Sequence, residues 1–371
     1  MKVVFAGGGT AGHINPALAI ASYIREQQPD AQIMFIGNKN SMEEKLVRRA
    51  GYHFKDIQIN GFNRKMTPKA MLDNATTVFK AVKAITDAKK IIREFAPDVC
   101  IGTGGYVSGP VVKAANKLGI RTLIHEQNAF AGVTTKMLSK DVDVVMLAIA
   151  DAQAYIPNAK RIEVTGNPIR GEVFAAQKSV AKNTLGLDSR PVILSFGGSL
   201  GARAINEAMA GLVARSGKDG RYQHIHAYGQ YGKWFVELVG KKGTDIDKCD
   251  NLDVRKFINN MDMCLAAADL VICRAGAITI SEIQATGKPA ILIPSPNVAE
   301  NHQYHNAMAL VNAGAAEILE EKDLSEQSLM SLVDKLVNDK SKLDLYSKNA
   351  RKSAIIDARE RIYAIIMEQA K

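Results

Sequence analysis

Val3-Val4-Phe5-Ala6-Gly7-Gly8-Gly9-Thr10-Ala11-Gly12-His13 is the stretch whose reading decides the fold. A short apolar strand runs into glycines, and a helical pattern follows from Pro16 to Arg25, with Pro16 in its first turn and Asn15 as candidate cap. A strand that ends in glycines and opens a helix leaves backbone N–H groups aimed at one spot, where the helix dipole adds positive potential. Such a turn suits phosphate, and glycine lets the ligand reach the backbone.

The same device recurs at Gly197-Gly198-Ser199-Leu200-Gly201-Ala202, after the strand Val192 to Phe196 and before a helical stretch from Arg203. A third cluster, Gly102-Thr103-Gly104-Gly105, follows the strand Val99-Cys100-Ile101. Further apolar runs at Ile33 to Ile36, Thr122 to Ile124, Val142 to Leu147, Leu270 to Cys273 and Pro289 to Ile293 read as strands separated by helices. That alternation predicts parallel sheets covered by helices on both faces. The repeat of the glycine turn divides the 371 residues into two similar α/β domains, with a linker near Gly166-Asn167-Pro168. Ser353 to Gln369 holds neither glycine nor proline and is helical by period.

Composition bounds the function. Hydrophobic residues make up 47%, ordinary for a globular protein. No apolar run approaches the ~18 residues of a membrane span, and no signal-peptide core follows Met1, so a cytoplasmic protein is expected. Cys100, Cys249, Cys264 and Cys273 form no CxxC pair, and buried reduced thiols are expected. The net charge of +10 attracts an anionic partner: nucleic acid, an acidic membrane surface or a phosphorylated substrate. Aromatics are only 6% and no basic–aromatic motif stands out, which argues against nucleic acid.

Gly7, Gly9 and Gly12 match the G-x-G-x-x-G spacing of nicotinamide dehydrogenases. In that fold an acid near the end of the second strand takes the ribose hydroxyls. Here that strand ends Ile36-Gly37-Asn38-Lys39, with no acid until Glu43. His13, directly after the loop, is a candidate general base, with a helix-capping or phosphate-contacting role as the alternative. Glu282, in Arg274-Ala275-Gly276-Ala277-Ile278-Thr279-Ile280-Ser281-Glu282, could accept bonds from two vicinal hydroxyls. Two short DxD strings, Asp141-Val142-Asp143 and Asp245-Ile246-Asp247, are assigned no metal.

Seven strings together resemble the MurG family of peptidoglycan enzymes: GGGTAGHINPALAIA (7–21), GTGGYVSGPVV (102–112), HEQNAFAG (125–132), TGNPIR (165–170), GGSLGARAIN (197–206), RAGAITISE (274–282) and ENHQYHNA (300–307). They run in order over nearly the whole chain. The resemblance implies an α/β GT-B fold, two Rossmann-like domains with parallel sheets facing across a cleft. Its expected domains are 1–166 on the acceptor and membrane side and 167–345 for the donor, with helix 346–371 packing back on the first. It implies an inverting hexosyltransferase that moves GlcNAc from UDP-GlcNAc to the MurNAc 4-hydroxyl of lipid I, giving lipid II. A UDP-GlcNAc 2-epimerase or another GT-B glycolipid glycosyltransferase is the alternative.

Residue by residue, the family's donor contacts fall on Thr10, Ala11, Gly12, Asn128, Arg170, Ser199, Ile258, Ala277, Ile278, Thr279, Ile280, Ser281, Glu282 and Gln303. Arg170 and Ser199 would sit near the diphosphate, Ile258 at the uracil, Glu282 at the ribose and Gln303 at the sugar hydroxyls. Ala11 departs from the family, where many relatives carry a second glycine. The expected catalytic groups are His13 and, as alternative base or orienting partner, Glu126. Gly102, Thr103, Gly104 and Gly105 are candidates for the acceptor pyrophosphate. No metal and no cofactor are expected, and no nucleic acid partner. The acceptor lipid implies a peripheral protein at the cytoplasmic face of the bacterial plasma membrane. The basic amphipathic stretch Phe62 to Arg93, with Arg64, Lys65 and Lys69 at one end, is the candidate surface for anionic lipid.

Overall fold

In the computed structural model, which describes residues 1–59, 83–169 and 171–370, the chain divides into two units: Met1–Ile169 with Ile356–Lys371, and Arg170–Ile355. Unit 1 begins with β1 (Lys2–Gly7), α1 (Ala11–Gln27), β2 (Gln32–Gly37), α2 (Met42–Arg49) and β3 (His53–Asp56). Residues 83–95 are helical (α3). Then come β4 (Val99–Gly104), α4 (Gly105–Asn116), β5 (Arg121–Glu126), α5 (Val133–Leu138), β6 (Val144–Leu147) and β7 (Ile162–Val164). The strands form a sheet in the order β3-β2-β1-β4-β5-β6-β7, every pair parallel.

Because side chains alternate across a strand, β1 sends Val4 and Ala6 to one face and Val3 and Phe5 to the other. The first face packs on Ala84, Ala88 and Ile92 of α3 and Val107 and Val111 of α4. The second packs on Ile14, Ala17, Ile20 and Ile24 of α1 and on Ile362, Ile365 and Ile366 near the C-terminus. Burial on both faces is what removes the polar alternation from these strands.

Unit 2 contains α6 (Glu172–Ala175), α7 (Lys178–Thr184), β8 (Val192–Phe196), α8 (Arg203–Asp219), β9 (Gln223–Ala227), α9 (Trp234–Lys241), β10 (Leu252–Arg255), α10 (Met261–Ala267), β11 (Leu270–Cys273), α11 (Ala277–Thr286), β12 (Ala290–Leu292), α12 (His302–Asn312), β13 (Ala316–Ile318), α13 (Glu326–Val337) and α14 (Lys340–Ser353). Its sheet runs β10-β9-β8-β11-β12-β13 and is also parallel throughout. The two units thus repeat one winding, in which the strand order reverses beside the first strand of each.

The units divide after Ile169, where Gly166 was expected, and the chain re-enters unit 1 at Ile356 instead of residue 346. Residues up to 353 stay with unit 2 because Ala350 of α14 is buried in its core and Ser353 Oγ accepts from Gln284 Nε2 at 3.1 Å. The last helix, α15 (Ala358–Gln369), returns to α1, and Glu368 receives a two-pronged hydrogen bond from Arg161 at 2.6 and 3.1 Å. Helix α1 also differs from its sequence reading. It opens at Ala11 with Thr10 as N-cap, so Pro16 lies inside it and His13 stands in its first turn.

Strand β9, Gln223-His224-Ile225-His226-Ala227, lies outside the strands expected from the sequence, because two histidines in five residues interrupt the apolar run. Both imidazoles are fully buried, with His224 Nε2 2.9 Å from Ser216 Oγ and His226 Nδ1 2.8 Å from Ser195 Oγ. Burial pushes each down to about 3. The unfolded chain takes up these protons at the ordinary value of 6.5 and the folded chain does not. Their contribution is therefore complete above pH 6.5 and is lost as pH falls from 6.5 towards 3. Urea-unfolding free energies should drop by up to roughly 1.4 kcal/mol per pH unit per histidine in that window. The double variant His224→Gln, His226→Gln should flatten the slope; a wild-type stability that is level across the window would show that these histidines are not held neutral.

Candidate active site

In an open parallel sheet, ligands bind outside the carboxyl ends of the strands where the order reverses. In unit 1 that point lies between β1 and β4, so the turns Gly7–Thr10 and Gly102–Gly105 converge there. They touch: a Cβ on Gly105 would collide with the Gly8 carbonyl, and Gly105 has φ +78. A Cβ on Gly104 would lie 2.7 Å from His13 Nδ1, so glycine here lets the imidazole rest against the backbone.

The first loop departs from the open anion site that its glycines suggest. Gly8 N–H donates to Gly104 O at 3.4 Å, and Gly9 N–H to Glu43 Oε2 at 3.4 Å. Glu43, brought back by α2, is only 2% exposed, so a buried carboxylate of the chain itself faces the Gly9 amide of this loop. Thr10, Ala11 and Gly12 remain exposed. Gly102 and Thr103 are buried, and Thr103 Oγ1 donates to His13 O at 2.8 Å; only Gly104 and Gly105 of that cluster reach the surface.

His13 is half-buried, and its Nδ1 lies 3.2 Å from Gln127 Oε1. Gln127, which sequence reasoning did not single out within HEQN, is buried beside His125. Its neighbour Glu126 is turned elsewhere. Glu126 Oε1 accepts from Asn128 N at 3.1 Å and Asn128 Nδ2 at 3.0 Å, and Oε2 from Gly132 N at 3.0 Å and Thr135 Oγ1 at 2.6 Å. Its carboxylate organises the loop from β5 to α5.

In unit 2 the reversal lies between β8 and β11. The carbonyls of Ser199 and Leu200 accept from Gln230 N and Tyr231 N, each at 3.1 Å, which turns the negative ends of the loop backwards. The N–H groups of Gly198, Ser199 and Leu200 have no hydrogen-bond partner among the described residues. Ser199 is exposed, so this second loop presents open amides of the kind that suit an anion, whereas the Gly8 and Gly9 amides of the first are engaged. Ala277 to Glu282 form the first turn and a half of α11, directly after β11.

Gln303, early in α12, accepts from Ser295 N through Oε1 at 2.9 Å, and Ile258 packs partly buried against the unit 2 core. All these groups follow the carboxyl ends of their strands, on one edge of the sheet. Arg170 lies outside the described residues. Two further residues hold this edge together. Asn306 Nδ2 donates to Ala275 O at 3.1 Å, and Arg274 Nη1 bridges Ile293 O, Pro294 O and Glu321 Oε2 at 3.2, 3.2 and 2.8 Å. Glu300 and Asn301 enter α12 with φ of +52 and +50, left-handed conformations that cost about 1–3 kcal/mol each in non-glycine residues.

Among the described residues no group of three or more His, Cys, Asp or Glu is placed to hold a metal ion. Asp143 of the first DxD string instead accepts from Thr122 N at 2.8 Å and Arg121 Nη1 at 3.2 Å, pinning the start of β5. In the second, Asp245 pairs with Lys248 at 3.0 Å.

Two Rossmann-like units, each with a glycine turn at its reversal point, define the GT-B fold, and the family models identify the chain as a glycosyltransferase. The Glycosyltransferase family 28 N-terminal domain matches residues 3–147 and the family 28 C-terminal domain residues 192–362. The UDP-N-acetylglucosamine--N-acetylmuramyl-(pentapeptide) pyrophosphoryl-undecaprenol N-acetylglucosamine transferase of Acetivibrio thermocellus is 44% identical over 372 residues, covering 100% of this chain and 99% of that protein. The crystal structure of MurG from Acinetobacter baumannii is 29% identical, covers 99% of both chains and superposes with a TM-score of 0.77. The chain belongs to the MurG family. UDP-GlcNAc 2-epimerase from Neisseria meningitidis has a TM-score of 0.65 over 99% of this chain and 100% of that one, at 12% identity, a likeness of fold alone.

Proposed function

We propose that this chain transfers N-acetylglucosamine from UDP-N-acetylglucosamine to the 4-hydroxyl of the N-acetylmuramyl residue of lipid I, with His13 as the base. Membership of the family supports the reaction, and one observation carries the assignment of the base. His13 stands at the reversal point of unit 1 with Nδ1 engaged by Gln127, and its Nε2 has no hydrogen-bond partner among the described residues. In the transfer the acceptor O–H proton passes to His13 Nε2 while the oxygen bonds to the anomeric carbon. The bond from that carbon to the UDP oxygen breaks, and its electron pair leaves with the diphosphate.

The open amides of Gly198, Ser199 and Leu200 suit the charge that develops on that leaving group. Ala277 to Glu282, Ile258, Gln303 and Arg170 complete the donor contacts in this reading, with Thr10, Ala11, Gly12 and Asn128 contributed by unit 1. Gly104 and Gly105, the half-buried pair of their cluster, take the acceptor pyrophosphate in this reading. Incubation with labelled UDP-GlcNAc and a lipid I analogue should yield a labelled lipid-linked disaccharide; free N-acetylmannosamine as the product would make the chain an epimerase instead.

The acceptor lipid places the enzyme peripherally on the anionic cytoplasmic face of the plasma membrane. No helix among the described residues is long and apolar enough to cross a membrane. The net charge of +10 supports attraction to anionic lipid. The basic stretch proposed for docking lies, for residues 62–82, outside the described residues. Reversing the charges at Arg64, Lys65 and Lys69 should weaken binding to anionic vesicles, each cation contributing roughly 1 kcal/mol. Unchanged binding would remove that end of the chain from the docking surface.

A further inference from the structure

We infer that Gln127 is a positioning residue that selects the tautomer of His13, and that His125 and the Gly166 carbonyl hold Gln127 in the orientation which does so. This inference rests on His13 being the base.

The argument runs inwards from Gly166. Its carbonyl oxygen lies 3.0 Å from His125 Nε2. A carbonyl only accepts, so the proton of His125 resides on Nε2. His125 Nδ1 then carries a lone pair, and the atom 3.0 Å from it is the terminal nitrogen of Gln127. That nitrogen also lies 2.8 Å from His125 O. Two acceptors converge on one end of the amide, so this end is NH2; the opposite orientation would press the amide oxygen against a carbonyl oxygen and a lone pair. The Gln127 oxygen is therefore the end that faces His13, 3.2 Å from Nδ1. An amide oxygen cannot donate, so His13 Nδ1 carries the proton and Nε2 the lone pair.

Three further observations keep the relay in one state. His125 is 1% exposed and Gln127 is 2% exposed, so water does not compete for their polar atoms. Burial holds His125 below the usual imidazole range, which keeps it neutral and its Nδ1 able to accept. Asn167 Nδ2 donates to Gln127 O at 3.2 Å and fixes the backbone of the amide from the other side.

The consequence is specific to the reaction. A base with its proton on the wrong nitrogen presents N–H to the acceptor hydroxyl and cannot take its proton. With Nδ1–H fixed, Nε2 is ready before the substrate arrives. When Nε2 gains the proton, the Nδ1–H bond to Gln127 becomes charge-assisted and strengthens. Gln127 thus orients the ring and supports its cationic form without exchanging a proton itself.

The test reads the tautomer directly. The chain has seven histidines, so ring-nitrogen NMR of full-length protein labelled at histidine can be assigned, with His13→Gln identifying the His13 signal. At a pH where the rings are neutral, His13 is expected with its proton on Nδ1 and His125 with its proton on Nε2. A wild-type His13 protonated on Nε2 overturns the inference without any variant.

Gln127→Met keeps the length of the side chain and removes both polar ends. It is expected to release His13 to a mixture of tautomers and to lower kcat about tenfold or more. It should also shift the acid limb of kcat to lower pH, because the imidazolium loses its acceptor. A purely structural role for Gln127 would lower activity at every pH and leave that limb in place, which also overturns the inference. The two readings separate cleanly. If His13→Ala retains near-normal turnover, the base assignment falls and takes this inference with it. If His13→Ala abolishes turnover while Gln127→Met keeps the wild-type tautomer and kcat, the base assignment stands and the relay falls.

Discussion

Replacing His13 with alanine is expected to lower kcat by roughly 10²- to 10⁴-fold, the range spanned by a positioned general base. The imidazole rests against Gly104 and Gly105 and meets Gln127 through Nδ1, so its removal deletes the proposed proton acceptor without unpacking the core. Binding of UDP-GlcNAc should change far less, since most donor contacts in the proposed reading belong to unit 2. The measurement is turnover with the lipid I analogue beside equilibrium binding of UDP-GlcNAc. Turnover close to wild type would take the base role away from His13. A parallel loss of donor binding would make His13 a binding residue instead.

Glu126→Ala should be the most damaging change to stability in the site region. The carboxylate is 4% exposed and accepts from Asn128 N, Asn128 Nδ2, Gly132 N and Thr135 Oγ1. Each buried donor left unpaired costs roughly 1–3 kcal/mol, partly relieved where water enters, so a loss on the order of 3–5 kcal/mol is expected by urea unfolding. Glu126→Gln retains one accepting oxygen and should lose less. Turnover should fall in both variants in step with the displacement of the loop that carries Gln127 and Asn128. Should Glu126→Gln instead abolish turnover at unchanged stability, Glu126 would be the proton acceptor and His13 would not.

The strands of both sheets beside the reversal points were legible because they are buried on two faces. Val3-Val4-Phe5, Val99-Cys100-Ile101, Val192 to Phe196 and Leu270 to Cys273 are continuous apolar runs that end at turn residues. The outer strands were not. His53–Asp56 is largely exposed, Leu252–Arg255 and Ala316–Ile318 are half-buried, and Gln223–Ala227 hides two histidines behind serine hydroxyls. These strands interleave polar and charged residues with apolar ones, and the partners that let such side chains lie inside, as Lys342 and Tyr346 do for Glu317 and Ser195 for His226, come from elsewhere in the chain.

The site divides in the same way. The sequence by itself determined where the glycine turns fall, that they open helices, and that His13 follows the first of them, because those properties depend on neighbours in the chain. It could not separate the two loops by function. That required Glu43, more than thirty residues further on, to return through α2 and take the Gly9 amide, while Gln230 and Tyr231 turned the carbonyls of the second loop away. Nor could it choose between Glu126 and its neighbour as the partner of His13. Successive residues of a strand point to opposite sides, and only the path of the chain beyond β5 decides which of them meets α1. Hydrogen bonds are selected by distance and direction in space, so the link from Gln127 to His13, across 114 positions of sequence, belongs to the tertiary structure alone.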